Sequence, residues 1–157
     1  ALDDHALANM ADADTILFGR KTYEMFEHYW PKAAADPKGA ADPHGGGQRS
    51  PALQRIAAWI DEATKVVVSS RRRELTWRHS RLIPRFSAAD IEALKHGPGK
   101  NIMVFGSGTL VSALTDHGLI DEYQFAVAPV ILGQGRALIG GVHAHQAVQC
   151  LESRPLP

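Results

Sequence analysis

Three places in the chain set a short apolar run directly before glycine, hydroxyl or basic residues. They are Gly19-Arg20-Lys21-Thr22, Ser69-Ser70-Arg71 and Gly106-Ser107-Gly108-Thr109. In the first and third, the apolar run turns through glycine into sequence with helical spacing. Such a turn leaves the first backbone N–H groups of the helix without partners, at the positive end of its dipole, which suits a phosphate. Glycine allows close approach to the backbone where a β-carbon would hold a ligand away. Arg20, Lys21 and Arg71 add cationic donors, and Thr22, Ser69, Ser70 and Thr109 add hydroxyl groups. Taken singly, glycine turns after strands are commonly structural and a basic residue at a helix start is commonly solvated. Their coincidence in one small chain points to a phosphate-bearing ligand.

The elements that position these groups alternate. Ala6–Ala13 has short-helix spacing with Leu2, Leu7 and Met10 on one face, and Thr15–Phe18 reads as a buried strand closed by Gly19. Arg20–Trp30 is helical, with Tyr23, Phe26 and Trp30 on one stripe and Pro31 as its expected stop. A helix over Ala52–Glu62 carries Leu53, Ile56, Ala57 and Ile60 at one face, and the β-branched run Lys65–Ser70 follows as a strand. After the polar Arg71-Arg72-Arg73, Ser87 is placed to cap a helix through Ile91, Leu94 and Lys95 that Gly97-Pro98 stops. Asn101–Phe105 reads as a strand, and a helix with Leu110, Val111 and Leu114 runs to Gly118. Glu122–Val127 and Ala147–Glu152 are expected as further strands, with Gly-rich loop over Pro129–Gly141. This alternation implies an α/β sandwich with parallel pairs, whose ligands gather at the C-terminal ends of the strands.

Pro31–Pro51 breaks the pattern with four Pro, four Gly and five Ala, and reads as a long flexible loop within one domain spanning 1–157. Lys+Arg 17 balance Asp+Glu 17, so the electrostatic footprint of a nucleic-acid or anionic-membrane binder is missing. No apolar run approaches the roughly 20 residues that span a bilayer. The single Cys150 excludes an internal disulfide and a multi-cysteine metal site, and with no paired histidine it is not read as a nucleophile. His143 and His145 share one strand-like face but lack a spaced third ligand, so no metal site is assigned. Trp30, Trp59 and Trp77 are read as packing residues, although Tyr23, Phe26 and Trp30 are also suited to wall a flat heterocycle. A cytoplasmic protein is expected. With no initiator Met and no signal-peptide pattern, the natural protein is expected to extend beyond Ala1 and beyond Pro157.

These segments also carry a resemblance. Ile16–Glu24, with Gly19-Arg20-Lys21-Thr22-Tyr23-Glu24, resembles the Gly-Arg-Lys-Thr-Trp-Glu segment of dihydrofolate reductases. Lys65–Arg71 is similar to their adenosine-side strand, and Ile102–Leu110 to their glycine-rich pyrophosphate turn. Gly106–Leu110, Leu119-Ile120-Asp121-Glu122 and Pro129–Gly135 resemble more closely the reductase domain of the bifunctional riboflavin-biosynthesis deaminase–reductase and its stand-alone bacterial relatives. The resemblance runs from Ala11 to about Gly141. It implies a dihydrofolate reductase-like three-layer sandwich with a mixed, mostly parallel central sheet flanked by helices.

It also implies NADPH as cofactor. Gly19, Arg20, Lys21 and Thr22 would meet phosphates, and Ser69, Ser70 and Arg71 would surround the adenosine 2′-phosphate. Gly106, Ser107, Gly108, Thr109 and Leu110 would line the pyrophosphate and nicotinamide ribose. The implied activity is reduction of a nitrogen heterocycle or its ribosyl derivative, first of all the ribosylaminopyrimidine of riboflavin synthesis. A dihydrofolate, pterin or other small-heterocycle reductase, and a non-catalytic dinucleotide-binding module, stand as alternatives. The related domains commonly pair, and Val127–Leu132 offers an apolar stretch, so a homodimer is expected. The family's first strand would lie upstream of Ala1, Gly106-Ser107 stands where dihydrofolate reductases have paired glycines, and no catalytic residue is singled out.

Overall fold

The computed structural model describes residues 2–36, 50–106, 108–143 and 145–155. Within them, α1 (Leu2–Ala11), β1 (Ala13–Gly19), α2 (Arg20–Ala35), α3 (Pro51–Glu62), β2 (Thr64–Val68), β3 (Ser80–Ile83), α4 (Ala88–Lys95), β4 (Asn101–Met103) and α5 (Gly108–Asp116) follow in order. The strands form one sheet in the order β3-β2-β1-β4, and each neighbouring pair is parallel. Parallel strands need helical crossovers that cover both faces, so the central strands β1 and β2 place apolar residues on both sides. Ile16 and Phe18 of β1 and Val67 of β2 face a core shared with Met10, Tyr23, Ile56 and Ile60. Leu17 and Val66 face the other way, against Ile91, Leu110, Leu114 and Leu119. The period-two alternation of β1 and β2 thus separates the two helical layers, α1–α3 on one face and α4–α5 on the other.

Local signals explain most boundaries. Ser50 Oγ accepts from Leu53 N (3.1 Å) with Pro51 opening α3, and Ser87 Oγ accepts from Asp90 N (3.3 Å) to start α4. Gly118, at φ 65°, closes the turn after α5, a conformation that glycine adopts at no steric cost. Trp59 and Trp77 are packing residues that also spend their N–H groups, on Ala13 O (3.2 Å) and Asp61 Oδ1 (2.7 Å).

Four expectations need correction. Pro31 does not end α2, which continues to Ala35 and buries Ala33 against the core. Packing of α2 on α3, with the helix-favouring Ala33–Ala35, outweighs the lost proline N–H. Of the loop expected over Pro31–Pro51, the first five residues belong to α2 and Pro51 opens α3, while residues 37–49 lie outside the described ones. The strand β3 was not expected, because Ser80-Arg81-Leu82-Ile83 has the polar content of a sheet edge rather than a buried run. Glu122–Val127 and Ala147–Glu152 form no strand, and the sheet is therefore parallel throughout the described residues rather than mixed. A β-rich sequence becomes a strand only where its N–H and C=O groups find a ladder, and these find none.

The start of β2 is fixed by a lysine. Lys65 is fully buried, and its Nζ donates to Asp61 O (2.6 Å) and Ala63 O (2.8 Å) at the end of α3, 4.4 Å from the Trp77 ring centroid. The cation thus satisfies orphan carbonyls at the negative end of the helix dipole. Burial lowers its pKa to about 8, with Arg78 adding to the shift and the acidic Asp61 and Glu62 opposing it. Between about pH 8 and the unfolded value of 10.5 the unfolded chain binds more protons than the folded one, so folding stability rises with pH across that window. Across the full window the gain is about 3 kcal/mol. Urea unfolding between pH 7.5 and 9.5 should show the wild-type midpoint climbing while that of Lys65→Met stays flat.

Candidate functional site at the C-terminal edge of the sheet

The register of the sheet places the expected site residues in one row. Gly19 pairs with Val68, so Arg20 and Ser69 begin their turns side by side. Val68 pairs with Ile83, which brings the end of β3 to the same edge. On the other flank Ile16 pairs with Met103, and Gly19 and Gly106 each lie three residues further on. The starts of α2 and α5 therefore face the same side.

A cleft of about 280 Å³ opens at this edge and unites Arg20, Ser69, Ser70 and Arg71, together with Arg85 and Phe86. The last two were missed in the sequence because the strand that delivers them was missed. Their signal was a basic–aromatic pair two residues after an apolar dipeptide, Leu82-Ile83. Ser69 is 7 % exposed, and its Oγ accepts from the backbone N–H groups of Arg71 (3.2 Å) and Arg72 (3.0 Å). That turn leaves the Ser69 hydroxyl proton as a donor and holds the Arg71 side chain outward. Arg71 and Arg85 are exposed and make no ion pair among the described residues. Gly19 starts α2 with no side-chain cap, unlike Ser50 and Ser87, so no capping side chain occupies the first N–H groups of that helix.

The other expected residues flank this cleft rather than line it. Lys21 is exposed and Thr22 is buried at 9 % exposure. Gly106, at φ 67°, requires glycine and has open space where a β-carbon would stand. Gly108 is constrained differently: a β-carbon there would meet Leu138 O at 3.2 Å. Thr109 is exposed, whereas Leu110 points into the core, so only its backbone is open to a ligand. Ser107 lies outside the described residues. Of the stripe Tyr23, Phe26 and Trp30, Tyr23 is fully buried, which removes it as a wall for a heterocycle. His143 is held by Asp116, with Nδ1 2.9 Å from Oδ2.

Arg72, from the polar run Arg71-Arg72-Arg73, ties the turn after β2 to α2. It donates to Glu27 Oε2 (2.7 Å) and Glu74 O (2.8 Å), and its guanidinium lies 5.4 Å from the Tyr23 ring centroid. Thr76 (2.7 Å) and the Tyr23 hydroxyl (3.1 Å) also donate to Glu27. Burial pushes the Glu27 carboxyl up, but the hydrogen bonds from Thr76, Arg72 and Tyr23 outweigh it and hold the carboxyl below its ordinary range.

A larger cleft, about 430 Å³, lies at the opposite edge among Ala13, Thr64 and Ile102. The C-terminal ends of α1 and α3 meet there, so the dipoles disfavour an anion. Its Asp14 is occupied by Lys100 N (2.9 Å) and the Thr15 hydroxyl (2.8 Å). The smaller cleft, with three arginines, two serines and an uncapped helix start beside it, has the donor set better suited to a phosphate.

The family model of the RibD C-terminal domain matches residues 3–157. The Bacillus subtilis (strain 168) protein YyaP is similar, 27% identical over 125 residues, which cover 80% of this chain and 58% of that protein. The chain thus spans less than two-thirds of the length of the curated relative it matches. No helix among the described residues is long and apolar enough to cross a membrane.

The Glu27 network makes its own pH dependence. A lowered folded pKa contributes stability that is present above the unfolded value of about 4.5 and is lost as pH falls through the folded one. Glu27→Gln should cost about 1–2 kcal/mol at pH 7, where charge-assisted bonds are removed. In urea titrations the gap between wild type and variant should close as pH falls below 4.

Proposed function

Because the chain belongs to the RibD C-terminal domain family, a family of reductases, we propose that it is an NADPH-dependent reductase. Its proposed substrate is a nitrogen heterocycle or its ribosyl derivative, first of all the ribosylaminopyrimidine of riboflavin synthesis. The observation that carries this reading is the convergence of Arg20, Ser69, Ser70 and Arg71 with Arg85 and Phe86 in one cleft. Three guanidinium groups and a hydroxyl donor match a terminal phosphate, and Phe86 offers a ring face for the attached base. The donor set therefore fits the 2′-phosphate of the cofactor, and the uncapped start of α2 fits a further phosphate oxygen.

In this reading Arg20, Arg71 and Arg85 anchor one end of the dinucleotide, and Ser69 fixes the turn that aims Arg71. Gly106 and Gly108 let the chain approach the pyrophosphate at the neighbouring strand end. Bound NADPH supplies the hydride. The protein binds and orients both partners, which converts their meeting into a reaction within one complex. The same reading takes 1–157 as one reductase domain.

The chain is further proposed to act as a homodimer in the cytoplasm. Among the described residues, eight of the nine exposed large apolar side chains lie between Phe125 and Leu151, including Val127 at 86 % and Ile131 at 98 % exposure. A stable two-fold contact needs about 1,000 Å² or more, and this segment offers an apolar core for one.

Two measurements test these readings. Arg71→Ala, Arg85→Ala and Arg20→Ala, measured separately, should each weaken NADPH about ten- to a hundredfold, the range of one charge-assisted hydrogen bond of about 1.5–3 kcal/mol. NADH affinity should hardly change, and the salt dependence for NADPH should flatten. Equal losses for both cofactors would put the phosphate elsewhere. NADPH that binds but is not oxidised by any heterocycle offered would favour a binding module. In sedimentation the wild type should run as a dimer of the 17.0 kDa chain, and Ile131→Glu with Val127→Lys should shift it to monomer. A wild type that runs only as monomer at micromolar concentration removes the dimer.

A further inference from the structure

Of the three cations around the cleft, one is already engaged. Arg20 Nη1 donates to both carboxylate oxygens of Glu24, at 2.9 and 3.2 Å, one helical turn further along α2. Glu24 also lies 3.5 Å from Arg72 Nη1. Arg72 has other anchors in Glu27 and Glu74, so it does not depend on Glu24. Among the described residues, Arg20 by contrast pairs with this single carboxylate, and its other guanidinium nitrogens make no hydrogen bond, beside the cleft that Arg20 lines. We propose that Glu24 is a specificity-determining residue, which competes with a ligand phosphate for Arg20 and so limits how strongly the cleft favours a phosphorylated nucleotide. The inference rests on the phosphate reading of the cleft given above.

Glu24 acts on Arg20 in two opposite ways, and magnitudes decide between them. By aiming the guanidinium it helps binding, but an i,i+4 pair on a helix of this exposure changes an equilibrium by only about twofold. Arg20 is 30 % and Glu24 37 % exposed, so both remain in contact with solvent. By its charge Glu24 opposes a phosphate that carries close to two negative charges and would share the same guanidinium. At about 6–8 Å in a solvent-like to half-buried dielectric, that repulsion is worth roughly three- to tenfold or more. Repulsion outweighs aim. The amide of Glu24→Gln keeps an acceptor for Arg20 Nη1 and removes only the charge, and Arg72 stays held by Glu27.

The test titrates the wild-type chain, Glu24→Gln and Glu24→Asp with adenosine 2′,5′-bisphosphate and with AMP, by calorimetry at low and high salt. Glu24→Gln should bind the bisphosphate about three- to tenfold more tightly than wild type, bind AMP unchanged within twofold, and show a steeper salt dependence. Glu24→Asp, which keeps the charge, should stay within about twofold of wild type for both nucleotides. A wild type that favours the bisphosphate, with Glu24→Gln equal to it or weaker, overturns the role of Glu24 and leaves the cleft reading standing. An equal gain for both nucleotides overturns it too, because the 2′-phosphate would then not be the group in competition. No preference for the bisphosphate in either wild type or Glu24→Gln overturns the phosphate reading of the cleft and this inference with it.

Discussion

The cleft at the C-terminal edge of the sheet depends on one parallel ladder, that between β1 and β2, in which Gly19 stands opposite Val68. A slip of one residue would turn Ile16 and Phe18 away from their core and would also separate Arg20 from Ser69. The ladder is anchored at its far end. Trp59 donates to the first residue of β1, and Lys65 ties the start of β2 to the last carbonyls of α3. Strands rise about 3.3 Å per residue, so these anchors act from roughly 15–20 Å away on the spacing of the cleft. A buried ammonium remote from the cleft thus helps to determine where the cleft arginines stand.

Charge is distributed along the same axis. The chain as a whole is neutral, but the helices run antiparallel to the strands, so their positive ends gather at the cleft and their negative ends at the opposite edge. The run Arg71-Arg72-Arg73 shows how finely this is divided. Arg72 is drawn inward onto Tyr23 and Glu27 and serves as a fastener, while the Ser69 turn leaves Arg71 exposed at the cleft. Of two neighbours of identical type, one fastens the turn and the other lines the cleft, because the turn points them to opposite sides.

Much of this was legible in the sequence for definite reasons. Ser87 and the Gly97-Pro98 stop marked α4, the β-branched Val66–Val68 marked β2, and the Gly19 and Gly106 turns marked two of the strand ends that now share one edge. What escaped notice was tertiary in origin. The strand β3 is polar and short because it lies at the sheet edge, and its invisibility hid Arg85 and Phe86, which complete the cleft. The extension of α2 through Pro31 depends on burial of Ala33, which no local signal reports. The engagement of Arg20 by Glu24 followed an i,i+4 spacing that was present in the sequence, but the three-way sharing with Arg72 required the fold.

The C-terminal third shows the same principle from the other side. Glu122–Val127 has strand composition, yet it joins no strand among the described residues and is held by side chains instead: Thr115 to Tyr123 at 2.8 Å, and Lys95 to the adjacent Asp121 at 2.9 Å. Farther on, Gly140 N donates to Ser112 Oγ (3.1 Å) and His143 N to Asp116 Oδ1 (2.7 Å), which lays the segment along α5. Polar tethers fix its path without covering Val127, Ile131 or Leu132. The path matters for the edge that holds the cleft, because the Leu138 carbonyl stands against Gly108, the first residue of α5. Any surface that buried this apolar segment would therefore bear on the start of α5, at the strand end beside the cleft.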